Sequence, residues 1–129
     1  VNADGLHLPS RMIDQVPMAR QWLHDHGTTN TYISVSCHNS SELCRAEESG
    51  CNLVLLSPVF PTNSHPGRPA LGVERFQALA TRVNVPVIAL GGITTENRKL
   101  LGGYGIAVIS AIMHARDPMK AAELLRENG

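Results

Sequence analysis

The sequence predicts a parallel α/β fold, a (β/α)8 barrel of the TIM type, of which residues 1–129 cover about the last five βα units as one domain. Three observations carry that prediction. Strand-like and helix-like segments alternate along the whole chain, and no Asn-Gly or similar hairpin turn interrupts them. The central strand segments, Leu53-Val54-Leu55-Leu56 and Val87-Ile88-Ala89-Leu90, are continuous apolar runs, as strands covered on both faces require. Glycines and hydroxyls cluster after the last two strands, where barrels that hold phosphate commonly build their anion site, and no GxGxxG fingerprint follows the first.

Taken in order, the first strand is expected at Gly5 to Leu8, the next at Thr31 to Ser36, then Asn52 to Ser57, Val85 to Leu90 and Gly105 to Ser110. A helix over Asp14 to His24 places Val16, Ala19 and Leu23 on one stripe. Asn39 is a good N-cap for a helix over Ser40 to Ser49, with Glu42 three residues on as in a capping box. Helices are also expected over Gly72 to Val83 and Thr95 to Leu101, and over Pro118 to Glu127, which has Asp117 at its N-cap and Pro118 at its first position. If the last two strands are the seventh and eighth of a barrel, the first is about the fourth. Five strands then leave two open edges, so the chain is expected to pair with another copy or to be part of a longer protein.

Composition narrows the function. Eleven acidic and eleven basic residues balance, with no basic run, which excludes an electrostatic grip on nucleic acid or an anionic membrane. No apolar stretch is long enough to span a bilayer, and the first residues lack an export signal pattern. Cys37, Cys44 and Cys51 are odd in number and seven residues apart, unlike zinc motifs or a disulfide framework, so they read as reduced, buried thiols in a cytoplasmic protein.

The candidate site follows from the turns after the strands. Gly91-Gly92 ends a buried strand and precedes Thr94 and Thr95; lacking β-carbons, it can turn sharply and present amides to an anion. Ile109-Ser110 occupies the equivalent end of the next strand. The segment from Ser57 to Leu71 is long for a βα connection, and four prolines stiffen it. Its Thr62, Ser64 and His65 can donate to phosphate oxygens, and Arg68 can clamp them bidentately. At the second strand end, Ser36 and His38 are expected to face the ligand. A Cys37/His38 nucleophilic pair is disfavoured, since the two point to opposite sides and no orienting carboxylate is expected nearby. His7 and His38 have no spacing that suggests a metal, and His24, His26 and His114 read as surface residues.

Several strings together resemble the thiamine-phosphate synthase and TenI family: Ala3-Asp4-Gly5-Leu6-His7-Leu8, Val35-Ser36-Cys37-His38-Asn39, Ser57-Pro58-Val59-Phe60-Pro61-Thr62, Ala89-Leu90-Gly91-Gly92-Ile93 and Val108-Ile109-Ser110-Ala111-Ile112. The resemblance implies a (β/α)8 barrel that joins a pyrimidine diphosphate to a thiazole phosphate with help from Mg²⁺. It implies that Thr62, Ser64, Gly91, Gly92, Ile109 and Ser110 hold the thiazole phosphate and that Ser36 lies near the diphosphate. His38 and His65 are further substrate-binding candidates.

Departures accompany the resemblance. The acidic Mg²⁺ ligand that follows His-Leu-Gly-Gln in active synthases is replaced by Pro9-Ser10-Arg11, so no cofactor is expected in this chain. The Lys of the flexible loop is matched by His65, and the loop His of the tautomerase branch by Pro58. Ser36 to Leu43, Leu56 to Val59 and Ser64 to Gly67 also resemble the synthase-like domain fused behind a Nudix hydrolase. That alternative implies a non-catalytic ligand-binding or regulatory module. In either case the expected partner is a small phosphorylated molecule.

Overall fold

The computed structural model describes residues 3–63, 67 and 69–127. Five parallel strands form one sheet: β1 (Gly5–Leu8), β2 (Tyr32–Cys37), β3 (Leu53–Leu56), β4 (Val87–Leu90) and β5 (Gly105–Ala107). They lie side by side in chain order, with Leu8 against Val35, Val35 against Val54, Val54 against Val87 and Ala89 against Ile106. A doubly wound sheet reverses its strand order at a switch point. Strictly sequential order, joined by right-handed crossovers, instead curls one way with its helices on one face, as in a barrel.

Burial records those two faces. Ile33, Val35, Cys37, Val54, Leu56 and Ala89 are fully buried. They alternate with Ser34, Ser36, Leu53, Leu55, Ile88 and Leu90, which are only half-buried on the opposite, concave face. The helices that cover the first face are α1 (Val16–Asp25), α2 (Ser40–Ser49), α3 (Val73–Ala80), α4 (Ser110–Met113) and α5 (Pro118–Glu127). Val16, Leu43, Ala46, Phe76 and Leu125 enter the core from four of them. Phe76 is sealed by Tyr104, which meets it edge-on at a ring distance of 5.0 Å.

Three expected helices are cut down: α3 forms only Val73–Ala80 of the stretch expected over Gly72 to Val83, and the other two shorten for local reasons. The helix expected from Asp14 starts as α1 at Val16, with Pro17 in its first turn, after a 3₁₀ segment over Ser10–Gln15. Of the helix expected over Thr95 to Leu101, only a 3₁₀ turn at Arg98–Leu101 forms. The Thr94 hydroxyl accepts the Glu96 and Asn97 amides at 3.3 Å, and the Asn97 carboxamide accepts the Thr94 amide at 2.8 Å. These side chains offer the backbone a turn in place of helical bonds.

The last strand also ends early. β5 stops at Ala107, Ile109 turns out of the extended path at φ −125° and ψ −68°, and Ser110 opens a short helix. The cysteines divide: Cys37 and Cys51 are buried, but Cys44 is exposed on α2, against the expectation that all three are interior. No helix among the described residues is long and apolar enough to cross a membrane.

Candidate functional site

At the C-terminal rim of the sheet the backbone after β4 takes a path open to glycine. Gly91 and Gly92 adopt φ of 98° and 65°. A β-carbon at Gly91 would stand 2.8 Å from Pro58 Cα, and one at Gly92 would stand 2.4 Å from the Pro61 carbonyl oxygen. Both glycines are therefore needed for contact with the neighbouring loop as well as for the turn. That loop is stitched on by Val59 N–H donating to Leu90 O at 2.9 Å and Phe60 N–H donating to Gly91 O at 3.0 Å. Asn97 Nδ2 donates to Gly92 O at 2.9 Å from the far side.

Thr62, Gly91, Gly92, Ile109 and Ser110 line one cavity of about 80 Å³ at this rim, with Ser57 at its edge. The described residues around it carry no formal charge. An anion there would meet glycine amides, hydroxyls and the first amides of α4, which have no acceptor within their own helix. Nearby Glu96 has its carboxyl held below the usual range, first by a hydrogen bond from Thr94 and then by one from Thr95. Ser64, His65 and Arg68 lie outside the described residues.

Ser36 and His38 separate rather than meet. Ser36 points to the concave face from β2, where its hydroxyl lies 2.9 Å from His7 Nε2, while His7 Nδ1 lies 2.8 Å from Ser34 Oγ. His38 turns toward α2: Glu42 Oε2 accepts its backbone N–H at 2.7 Å and faces its Nδ1 at 2.9 Å. The expectation that no carboxylate orients His38 is thus corrected. Glu42 sits one helical turn on, and its carboxylate reaches back to residue 38, while Asn39 Oδ1 caps the helix by accepting the Glu42 amide at 2.9 Å. His38 lines a separate cavity of about 280 Å³, shared with Ser57 and Arg75.

Cys37 is not activated by this pair. It faces the core from β2, and burial pushes its thiol up to about 12, reinforced by Glu42 and Cys51. A nucleophile needs thiolate, which this environment opposes. The three further histidines are exposed as expected, with His26 stacked on Trp22 at a ring distance of 4.0 Å.

The His7 link between two serines was missed by sequence reasoning. Its signal was Ser34-x-Ser36, two polar residues on the same face of an otherwise apolar strand, with His7 in register with Ser34. As for a metal, no group of three or more His, Cys, Asp or Glu gathers among the described residues, and Pro9-Ser10-Arg11 runs into a 3₁₀ helix beyond β1. The described residues do not fit a Mg²⁺ site.

Sheet order, one-sided helical cover and a rim cavity define a parallel (β/α)-barrel protein with its candidate site above the strand ends. The comparisons give the family. The thiamine monophosphate synthase family model matches residues 1–114, and the chain belongs to that family. It is 36% identical over 131 residues to the thiamine-phosphate synthase of Pyrococcus abyssi, covering 98% of this chain and 60% of the relative. It is 35% identical over 130 residues to that of Chloroflexus aurantiacus, covering 98% of this chain and 57% of the relative. Among solved structures, the thiamine phosphate pyrophosphorylase of Pyrococcus furiosus superposes with a TM-score of 0.83 at 33% identity, over 99% of this chain and 60% of that one. The 3-hexulose-6-phosphate synthase of Salmonella typhimurium, at 20% identity and a TM-score of 0.70, shares the fold alone. The chain thus spans about 60% of the length of these thiamine-phosphate synthase relatives, and about a third of the length of that of Prochlorococcus marinus (strain CCMP1986 / NIES-2087 / MED4).

Proposed function

We propose that this chain is the phosphate-holding part of a thiamine-phosphate-synthase-type barrel in thiamine biosynthesis, taking a thiazole phosphate or thiamine phosphate at its rim. The single observation that carries the reading is the cavity lined by Thr62, Gly91, Gly92, Ile109 and Ser110. It has room for a group the size of one phosphate, and its uncharged lining suits an anion held by oriented amide and hydroxyl dipoles. Ser36, on the concave face below the rim, is the candidate contact for a diphosphate leaving group.

Support for a synthase-type module over one appended to a Nudix hydrolase comes from the relatives, which are named as thiamine-phosphate synthases. Calorimetric titration with thiamine phosphate tests the reading. Saturable binding that Gly92→Asp abolishes is the expected result, because the carboxylate would fill and charge the cradle. Unchanged affinity in that variant removes the glycines from the site. Turnover of the pyrimidine diphosphate with the thiazole phosphate and Mg²⁺ would separate a catalyst from a binding module.

A further inference from the structure

The least expected arrangement in the molecule is the His7 ring held between two hydroxyls of the adjacent strand. Ser34 Oγ lies 2.8 Å from Nδ1 and Ser36 Oγ lies 2.9 Å from Nε2. All three side chains project from the concave face, because His7 and Ser34 are in register and Ser36 is two residues on. A neutral imidazole has one N–H and one lone pair, so one serine must accept from the ring and the other donate to it.

The backbone offers Ser34 a second acceptor. The Ser34 hydroxyl also reaches the Leu6 carbonyl oxygen at 3.5 Å, and a carbonyl can only accept. With its proton on Leu6, Ser34 accepts from Nδ1–H. Nε2 then carries the lone pair, and the Ser36 hydroxyl donates into it. In this state Ser36 offers a ligand only lone pairs, which repel an anion. When the ring takes a proton from solvent, Nε2–H donates to Ser36 Oγ, and the serine's own hydrogen is released to point at a ligand oxygen.

The geometry points to His7 as a positioning residue that turns the Ser36 hydroxyl from acceptor to donor, so that uptake of a phosphate or diphosphate oxygen at Ser36 is coupled to protonation of His7. The inference rests on the reading that the concave face receives a phosphorylated ligand. Few other groups compete for the ring. The inward positions beyond the two serines are Leu53 and Leu55 of β3, and His38 and Glu42 are engaged with each other. The ion pairs among the described residues do not involve His7; Asp4 precedes β1 and Arg11 lies on the 3₁₀ segment beyond it.

The test is calorimetric titration of the chain with inorganic diphosphate between about pH 6 and about pH 8, the range in which histidines change charge. The unaltered chain should lose affinity with rising pH by up to about tenfold per unit beyond the loss in His7→Gln, since one proton is linked to binding. Ser36→Ala should show the same shallow dependence as His7→Gln. Thermal melts of both variants check that the sheet is intact. Nitrogen-15 spectra of the unligated chain give a readout independent of ligand: the His7 signal should be that of the Nδ1–H tautomer. Equal pH slopes in the unaltered chain and His7→Gln, a steep slope retained in Ser36→Ala, or an Nε2–H tautomer would each overturn the coupling while leaving the proposed function standing. Absence of diphosphate binding at every pH would also overturn the coupling, whereas the proposed function falls only if thiamine phosphate fails to bind.

Discussion

Gly92 packs so tightly beneath Pro61 that a β-carbon at 92 would approach the Pro61 carbonyl oxygen to 2.4 Å. The turn after β4 and the loop after β3 are therefore in backbone contact, and the cavity wall depends on that contact.

Gly92→Ala is expected to destabilise the fold. Its φ of 65° alone costs an L-residue about 1–2 kcal/mol, and the loop must also move aside. Urea unfolding should show a lower midpoint with an unchanged slope. A midpoint equal to that of the unaltered chain would mean that the turn relaxes freely.

Asn97→Ala removes two bonds at once, the one accepted from the Thr94 amide and the one donated to Gly92 O. The expected loss is about 1–2 kcal/mol, at roughly 1 kcal/mol for each bond. Weaker binding of thiamine phosphate should accompany it, because the Gly92 turn loses its outer support. Unaltered affinity alongside lowered stability would show that the turn is held by the Phe60 and Val59 bonds alone.

Asn39→Ala strips the N-cap of α2 and is expected to cost about 1 kcal/mol in thermal or urea unfolding. Glu42→Gln tests the neighbouring pair. Its carboxamide keeps an oxygen for the residue 38 amide but loses the charge that faces the His38 ring, and the expected cost in urea unfolding is about 1 kcal/mol or less.

The cysteines give a prediction with a definite sign. Burial raises the Cys37 thiol from its ordinary 9.0 to about 12 in the folded chain. The unfolded state then releases this proton first, so the contribution of Cys37 to stability is fully present below about pH 9 and is lost as pH rises towards 12. Cys37→Ala should flatten that part of the stability profile. At neutral pH iodoacetamide should modify exposed Cys44 readily and reach Cys37 only in urea; rapid labelling of Cys37 without denaturant would contradict its burial.

The strands were legible because parallel strands covered by helices need uninterrupted apolar runs, and Leu53 to Leu56 and Val87 to Leu90 have them. The convergence of Gly91-Gly92 with Ile109-Ser110 was legible for a related reason: equivalent ends of adjacent parallel strands must lie side by side. Less visible was the segment after Ile93, where a helix is expected over Thr95 to Leu101 and the hydroxyl and amide of Thr94 and Asn97 make a turn instead. The inward-facing His7 escaped notice because its partners lie 27 and 29 residues away, and only strand register joins them.

Chain-order pairing also bears on how the molecule is put together. Register partners are separated by 27 residues between Gly5 and Tyr32, 19 between Ser34 and Leu53, 33 between Val54 and Val87, and 17 between Ile88 and Gly105. Each strand thus closes one modest chain loop onto a neighbour already beside it, and loop-closure entropy grows only slowly over that range. Assembly can proceed by accretion, one strand and its helix docking on the last, much as in a solenoid.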